Sequence, residues 1–111
     1  MKNLDSFNFK SQINQQSGFS VVYVDSSSSG KSQIMKLLIE RIEISFHAQI
    51  HFFHIYLNEL KKIVPSNERK VLPFICFYQN NELKEEITDL ISYDDLLLTI
   101  HNFKKQYIEI H

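Results

Sequence analysis

Two kinds of hydrophobic spacing alternate along this chain, and they predict most of its elements. Phe19 to Val24, Phe-Ser-Val-Val-Tyr-Val, is a short β-branched and aromatic run that predicts a buried strand. After the serine run 26–29, which reads as a loop, Ser32 to His47 carries Ile34, Leu37, Leu38, Ile42 and Phe46 at three- and four-residue steps. That spacing predicts an amphipathic helix, with a serine at its start to cap the open backbone N–H groups. Ile50 to Tyr56, Ile-His-Phe-Phe-His-Ile-Tyr, is short and aromatic and reads as a second strand. A short helix from Asn58 to Val64 stops at Pro65, because proline disfavours helical geometry in the residue before it.

Downstream, Pro73 to Tyr78 and Glu82 to Thr88 are strands separated by Gln79-Asn80-Asn81, a tight-turn signal since asparagine tolerates left-handed backbone. Ser92 followed by Asp94 and Asp95 caps a last helix, whose apolar stripe is Leu96, Ile100, Phe103 and Tyr107. A further helix is expected near Ser6 to Gln15, with Phe7, Phe9 and Ile13 as its apolar residues. The order is helix, strand, helix, strand, helix, strand, strand, helix. Strand, crossover helix and strand form a parallel βαβ unit, and the hairpin adds antiparallel pairing. The expected fold class is therefore α/β: a mixed central sheet with helices on both faces, in one domain spanning residues 1–111.

Composition narrows the function classes. Hydrophobic residues make up 43% of the chain, with Phe 9 and Tyr 5, which is enough for a core and excludes intrinsic disorder as the main description. Lys+Arg 12 against Asp+Glu 13 gives a formal charge of -1, so no basic excess draws the protein to nucleic acid or to acidic lipid. No stretch of about 18 apolar residues occurs, as a membrane-spanning helix needs, and the polar N-terminus lacks a signal-peptide pattern. A cytoplasmic setting is the expectation. The single cysteine, Cys76, permits no internal disulfide and no four-cysteine metal site.

Three segments in this order resemble the thioredoxin-like superfamily over residues 4 to 105. The strand and long helix of Phe19 to Ile39 flank the place where that family keeps Cys-x-x-Cys. Val71-Leu72-Pro73-Phe74 looks like the family's segment with a cis proline, and Phe77-Tyr78-Gln79-Asn80-Asn81-Glu82-Leu83 looks like its hairpin turn. The resemblance implies a three-layer thioredoxin-like sandwich.

The departures bear on activity. Where the family has Cys-Gly-Pro-Cys, this chain reads Ser29-Gly30-Lys31-Ser32. Thiol–disulfide exchange needs a low-pKa thiolate and a second, resolving thiol, and a serine hydroxyl supplies neither at neutral pH. The family's tryptophan before the motif is Ser28 here, its buried strand aspartate is Tyr23, and a glycine after its hairpin is Asp89. The resemblance then implies a redox-inactive module that needs no cofactor and binds a protein or peptide. Its expected contact residues are Ser28, Gly30, Lys31, Leu72, Pro73, Phe74, Asp89 and Leu90, and its degenerate redox positions are Ser29 and Ser32. The alternative is a thiol–disulfide oxidoreductase whose cysteines are replaced by Ser29 and Ser32, through engineering or descent.

Other motifs carry less. Asp25 to Ser32, Asp-Ser-Ser-Ser-Ser-Gly-Lys-Ser, imitates a phosphate loop but has Asp25 where the first glycine belongs. A looser anion site at Gly30-Lys31-Ser32 is a third reading. His47, His51 and His54 suggest a metal, yet residues 51 and 54 of one strand point to opposite faces, so none is expected. Cys76 lies in an apolar strand and reads as a buried, inert thiol.

Overall fold

The computed structural model describes residues 1–15, 18–26, 30–46, 49–63, 72–88 and 92–107. Its elements are β1 (Lys2–Leu4), α1 (Phe9–Gln15), β2 (Phe19–Asp25), α2 (Gly30–Phe46), β3 (Ile50–Tyr56), α3 (Leu57–Leu60), β4 (Phe74–Gln79), β5 (Glu82–Ile87) and α4 (Tyr93–Tyr107). They build a 5-stranded sheet in the order β1-β3-β2-β4-β5. β1 and β2 both pair with β3 in parallel, whereas β2–β4 and β4–β5 are antiparallel. The expected mixed α/β sheet is present, and β1 is an addition to it. Three residues, Lys-Asn-Leu, hold too little pattern to be read as a strand without the partner they pair with.

Period-two alternation divides the core. Val21 and Tyr23 of β2, Ile50 and Phe52 of β3, and Ile75 and Phe77 of β4 pack under Met35, Ile39 and Ile42 of α2 and Leu96, Ile100 and Phe103 of α4. The intervening residues Val22, Val24, Phe53, Ile55, Phe74 and Cys76 pack against Phe9 and Ile13 of α1 and Leu60 of α3. Strands covered on both faces need mainly apolar residues on both, which is why β2, β3 and β4 read as largely apolar runs.

Helix faces depart further from expectation than strands. α2 begins at Gly30 and buries Met35, Ile39, Ile42 and Phe46, while Ile34 and Leu37 are exposed. The stripe expected along Ile34 and Leu37 is thus rotated: apolar residues occur on two sides of this helix, and spacing alone does not choose between them. Phe7 precedes α1 and is 93% exposed. α3 ends at Leu60, short of the expected Val64, which lies outside the described residues.

At the hairpin, Asn80 adopts φ 57, the left-handed geometry expected of the turn. Its backbone N–H donates to the Gly18 carbonyl at 2.6 Å, and its side-chain oxygen accepts the Gly18 N–H at 3.0 Å, tying the turn to the start of β2. Asn80→Ala is therefore expected to cost about 1–2 kcal/mol, since alanine pays the left-handed steric penalty and loses the side-chain bond. Asn80→Gly should cost less. Urea denaturation of both variants checks this, and equal costs would reject the backbone explanation.

Candidate functional site

One end of the sheet gathers most of the described candidate residues. Parallel β2 and β3 finish there together, at Asp25 and Tyr56, and antiparallel β4 begins there, with Phe74 opposite Val24. α2 starts just beyond β2, with Gly30, Lys31 and Ser32 in its first turn, and α3 follows β3 directly. The Leu72–Pro73 peptide bond is cis, and Leu72 lies at the same end, just before β4. Ser26, Leu57, Asn58, Lys61 and Leu72 line an open groove of ≈ 320 Å³ here. Leu57 and Leu72 are partly buried against the core, so the groove is apolar between an amide and an ammonium. Behind it, Glu59 of α3 accepts the Ser6 backbone N–H at 3.0 Å and pairs with Lys62 at 2.8 Å. The bond from Lys62 is the main reason the Glu59 carboxyl is held low, at about 2 against 4.5.

Phe74 requires a correction. It was expected to offer apolar contact to a partner, but it is 1% exposed and its ring belongs to the core on the α1 and α3 side. Pro73 is buried too. The described apolar side chain at that position with surface to offer is Leu72. Ser28, Ser29, Asp89 and Leu90 lie outside the described residues.

A buried polar chain lies beneath this end, and sequence reasoning missed it. Asp25 closes β2 as a strand residue, 3% exposed, where the sequence placed it at the mouth of a phosphate-loop imitation. Its carboxylate meets His54 Nε2 at 2.6 Å, and His54 Nδ1 lies 3.0 Å from Asn3 Oδ1 on β1. Registers explain the meeting. Tyr23 and Asn3 both flank His54 across the sheet, and Asp25 is two residues beyond Tyr23 on the same face. Tyr23 and Tyr56 pack on the imidazole with ring centroids at 5.7 and 4.7 Å. Hence the strand end does hold a buried acid, at Asp25, although Tyr23 fills the position where the resemblance placed one.

This geometry limits the chemistry. Both His54 nitrogens are engaged, so the ring has none to offer as a base to a serine hydroxyl. An Asn3 amide can present either its oxygen or its nitrogen to Nδ1, which satisfies a charged or a neutral ring. His51 is exposed while His54 is buried, on opposite faces as expected, and among the described residues no group of three metal-ligating side chains occurs. His47 lies outside the described residues.

Cys76 is 3% exposed in β4, on the α1 and α3 side of the sheet, with Sγ 4.0 Å from Glu86 Oε1. Nearby Tyr78 is pushed above the ordinary phenol value, chiefly by burial. No described helix is long and apolar enough to cross a membrane.

A crystal structure of thioredoxin f2 from Chlamydomonas reinhardtii aligns with 94% of this chain and 96% of its own, at a TM-score of 0.82. The chain has the thioredoxin fold. Sequence identity across that alignment is 19%, so the likeness is one of fold. The sequence matches no family model and no curated protein. Within the thioredoxin fold, the sheet end described above is where strand ends, a helix start and the Leu72-Pro73 segment converge.

Proposed function

We propose that this thioredoxin-fold chain is a redox-inactive module that binds a protein or peptide at the sheet end formed by β2, β3, α3 and Leu72. One observation carries the reading. Residues 29–32 are Ser-Gly-Lys-Ser, and the sole cysteine is buried in β4 on the α1 and α3 side, so no thiol is available where α2 starts. Thiol–disulfide exchange without a thiolate has no nucleophile. What remains is a groove with Leu57 and Leu72 as apolar contacts and Asn58 and Lys61 as polar ones. An extended peptide fits such a site by laying an apolar side chain between the leucines and a carboxylate or carbonyl against Lys61. Ser28, Gly30, Lys31, Asp89 and Leu90 complete the proposed contact surface.

The competing reading is an oxidoreductase deprived of its cysteines. It is tested by Ser29→Cys combined with Ser32→Cys. The folded double variant is expected to reduce insulin no faster than the unaltered chain, and robust turnover would favour the enzyme. Peptides selected from a random display library should lose about tenfold in affinity on Leu72→Asp, the cost of burying one unpaired carboxylate in an apolar contact. Undiminished binding would remove Leu72 from the site. Anion binding at Gly30-Lys31-Ser32 gains less support, because the Asp25 carboxylate closes the strand that precedes this turn.

A further inference from the structure

Acidic charge is unevenly placed in this chain. Between residues 82 and 95 stand Glu82, Glu85, Glu86, Asp89, Asp94 and Asp95 against the single base Lys84, although the whole chain carries only -1. Lys84 is spent on Glu82, at 3.2 Å. Of these acids, Glu82, Glu85 and Glu86 stand on an open strand. β5 ends the sheet, and among the described residues it pairs with β4 alone, so its other edge keeps backbone donors and acceptors to offer.

Between β5 and α4 runs a groove of ≈ 650 Å³, twice the ≈ 320 Å³ of the groove at Leu72. Ile87 and Leu98 are its apolar residues, Glu85, Glu86 and Asp95 its acids, and Thr99 and Asn102 add polar groups. Leu98 is 59% exposed, turned away from the buried stripe of α4. Among the described residues, neither the Glu85 nor the Asp95 carboxylate has a cationic partner. Registers put Glu85 and Ile87 on one face of β5, since they oppose Phe77 and Ile75, both in the core on the α4 side. An acid and an apolar residue thus stand two positions apart along an unpaired edge.

We propose that this groove receives an extended, basic segment of a partner protein, which adds to β5 as a further strand. Main-chain hydrogen bonds to β5 supply sequence-independent affinity, and alternate side chains of the guest enter the groove. Period-two spacing then sets a pattern in the guest: Lys or Arg opposite Glu85, any residue next, and an apolar residue over Ile87 and Leu98. Asp95 holds a second cation. A second copy of this chain is a poor guest, because pairing β5 with itself brings together two strands that each carry three glutamates and one lysine. The surface is separate from the groove at Leu72 and does not depend on it.

The probe is the capped hexapeptide Thr-Lys-Thr-Val-Thr-Lys, titrated into the isotopically labelled full chain and followed by amide chemical shifts. Shifts are expected to concentrate in residues 82–87 and 95–102. The pair Glu85→Gln and Asp95→Asn should weaken binding about tenfold, the combined worth of two exposed ion pairs. A peptide N-methylated at alternate backbone nitrogens keeps its charge but loses the ladder, and it should not bind. Leu72→Asp should leave this binding unchanged, which separates the two surfaces. Shifts scattered over the surface, equal binding of the N-methylated peptide, or indifference to both charge substitutions would each overturn the proposal. So would concentration-dependent dimerisation through β5.

Discussion

Asp25→Ala is expected to destabilise the fold by about 1–3 kcal/mol, the cost of leaving a buried polar group without its hydrogen-bond partner. The Asp25 and His54 side chains are 4% and 2% exposed, and their 2.6 Å contact lies where water cannot replace the lost partner. His54→Ala should cost a similar amount, because it leaves the Asp25 carboxyl buried without its hydrogen-bond partner. Asp25→Asn keeps a hydrogen-bonding group of the same size and should fall between. Replacing both residues by leucine is the informative comparison. With no polar group left to satisfy, the double variant should recover most of the loss, since replacing both partners of a buried hydrogen bond by apolar groups can be nearly neutral in stability. Asn3 is exposed and can turn to solvent. Urea denaturation of Asp25→Leu, His54→Leu and the double closes the cycle. Additive costs would show that the two side chains do not act as a pair. Domains of this kind have only about 5–15 kcal/mol in total, so Asp25→Asn keeps the test readable if the alanine variant fails to fold.

Phe103→Ala is expected to cost about 3–5 kcal/mol by leaving a ring-sized cavity between α4 and the sheet. Phe103 is 1% exposed, and its ring centroid lies 5.5 Å from Phe19, 4.9 Å from Phe77 and 4.9 Å from Tyr107. It therefore joins β2, β4 and the last turn of its own helix in one aromatic cluster. Leu98→Ala provides the contrast five residues earlier on the same helix. Leu98 is 59% exposed, and its removal should stay within about 0.5 kcal/mol of zero. A small loss at Phe103 together with a large one at Leu98 would mean that the face of α4 has been assigned the wrong way round.

Much of this fold was legible because its signals are local. The β-branched and aromatic runs of β2, β3 and β4, the left-handed Asn80 and the Ser92 cap, whose Oγ accepts the Asp95 N–H at 3.2 Å, each depend on a few neighbouring residues. Asp94 and Asp95 in the first turn of α4 and Lys104 and Lys105 in its last match the helix dipole for the same reason. α2 was harder. With Ile34, Met35, Leu37, Leu38, Ile39, Ile42 and Ile44 spread around its circumference, spacing alone left the buried side open.

The candidate site was legible only in part. Leu72-Pro73 and the start of α2 were marked by their motif order, and the serines at positions 29 and 32 are plain in the text. Phe74 was misread because a residue beside a proline at a strand start looks exposed until strand parity turns its ring inward. Asp25 and His54 are 29 residues apart, and nothing in either neighbourhood points to the other.

The sequence by itself determined the order of the elements after β1, the layered sheet with helices on both faces and the missing thiol pair, because these follow from periodicity and residue identity within short windows. Tertiary structure decided which face of each helix is buried, the pairing of β1, the burial of Asp25 against His54 and the acidic groove beside the open edge of β5. Those depend on strand register and on how helices rotate onto the sheet. Such choices are settled by contacts between residues distant in the chain, whose free energies no local pattern contains.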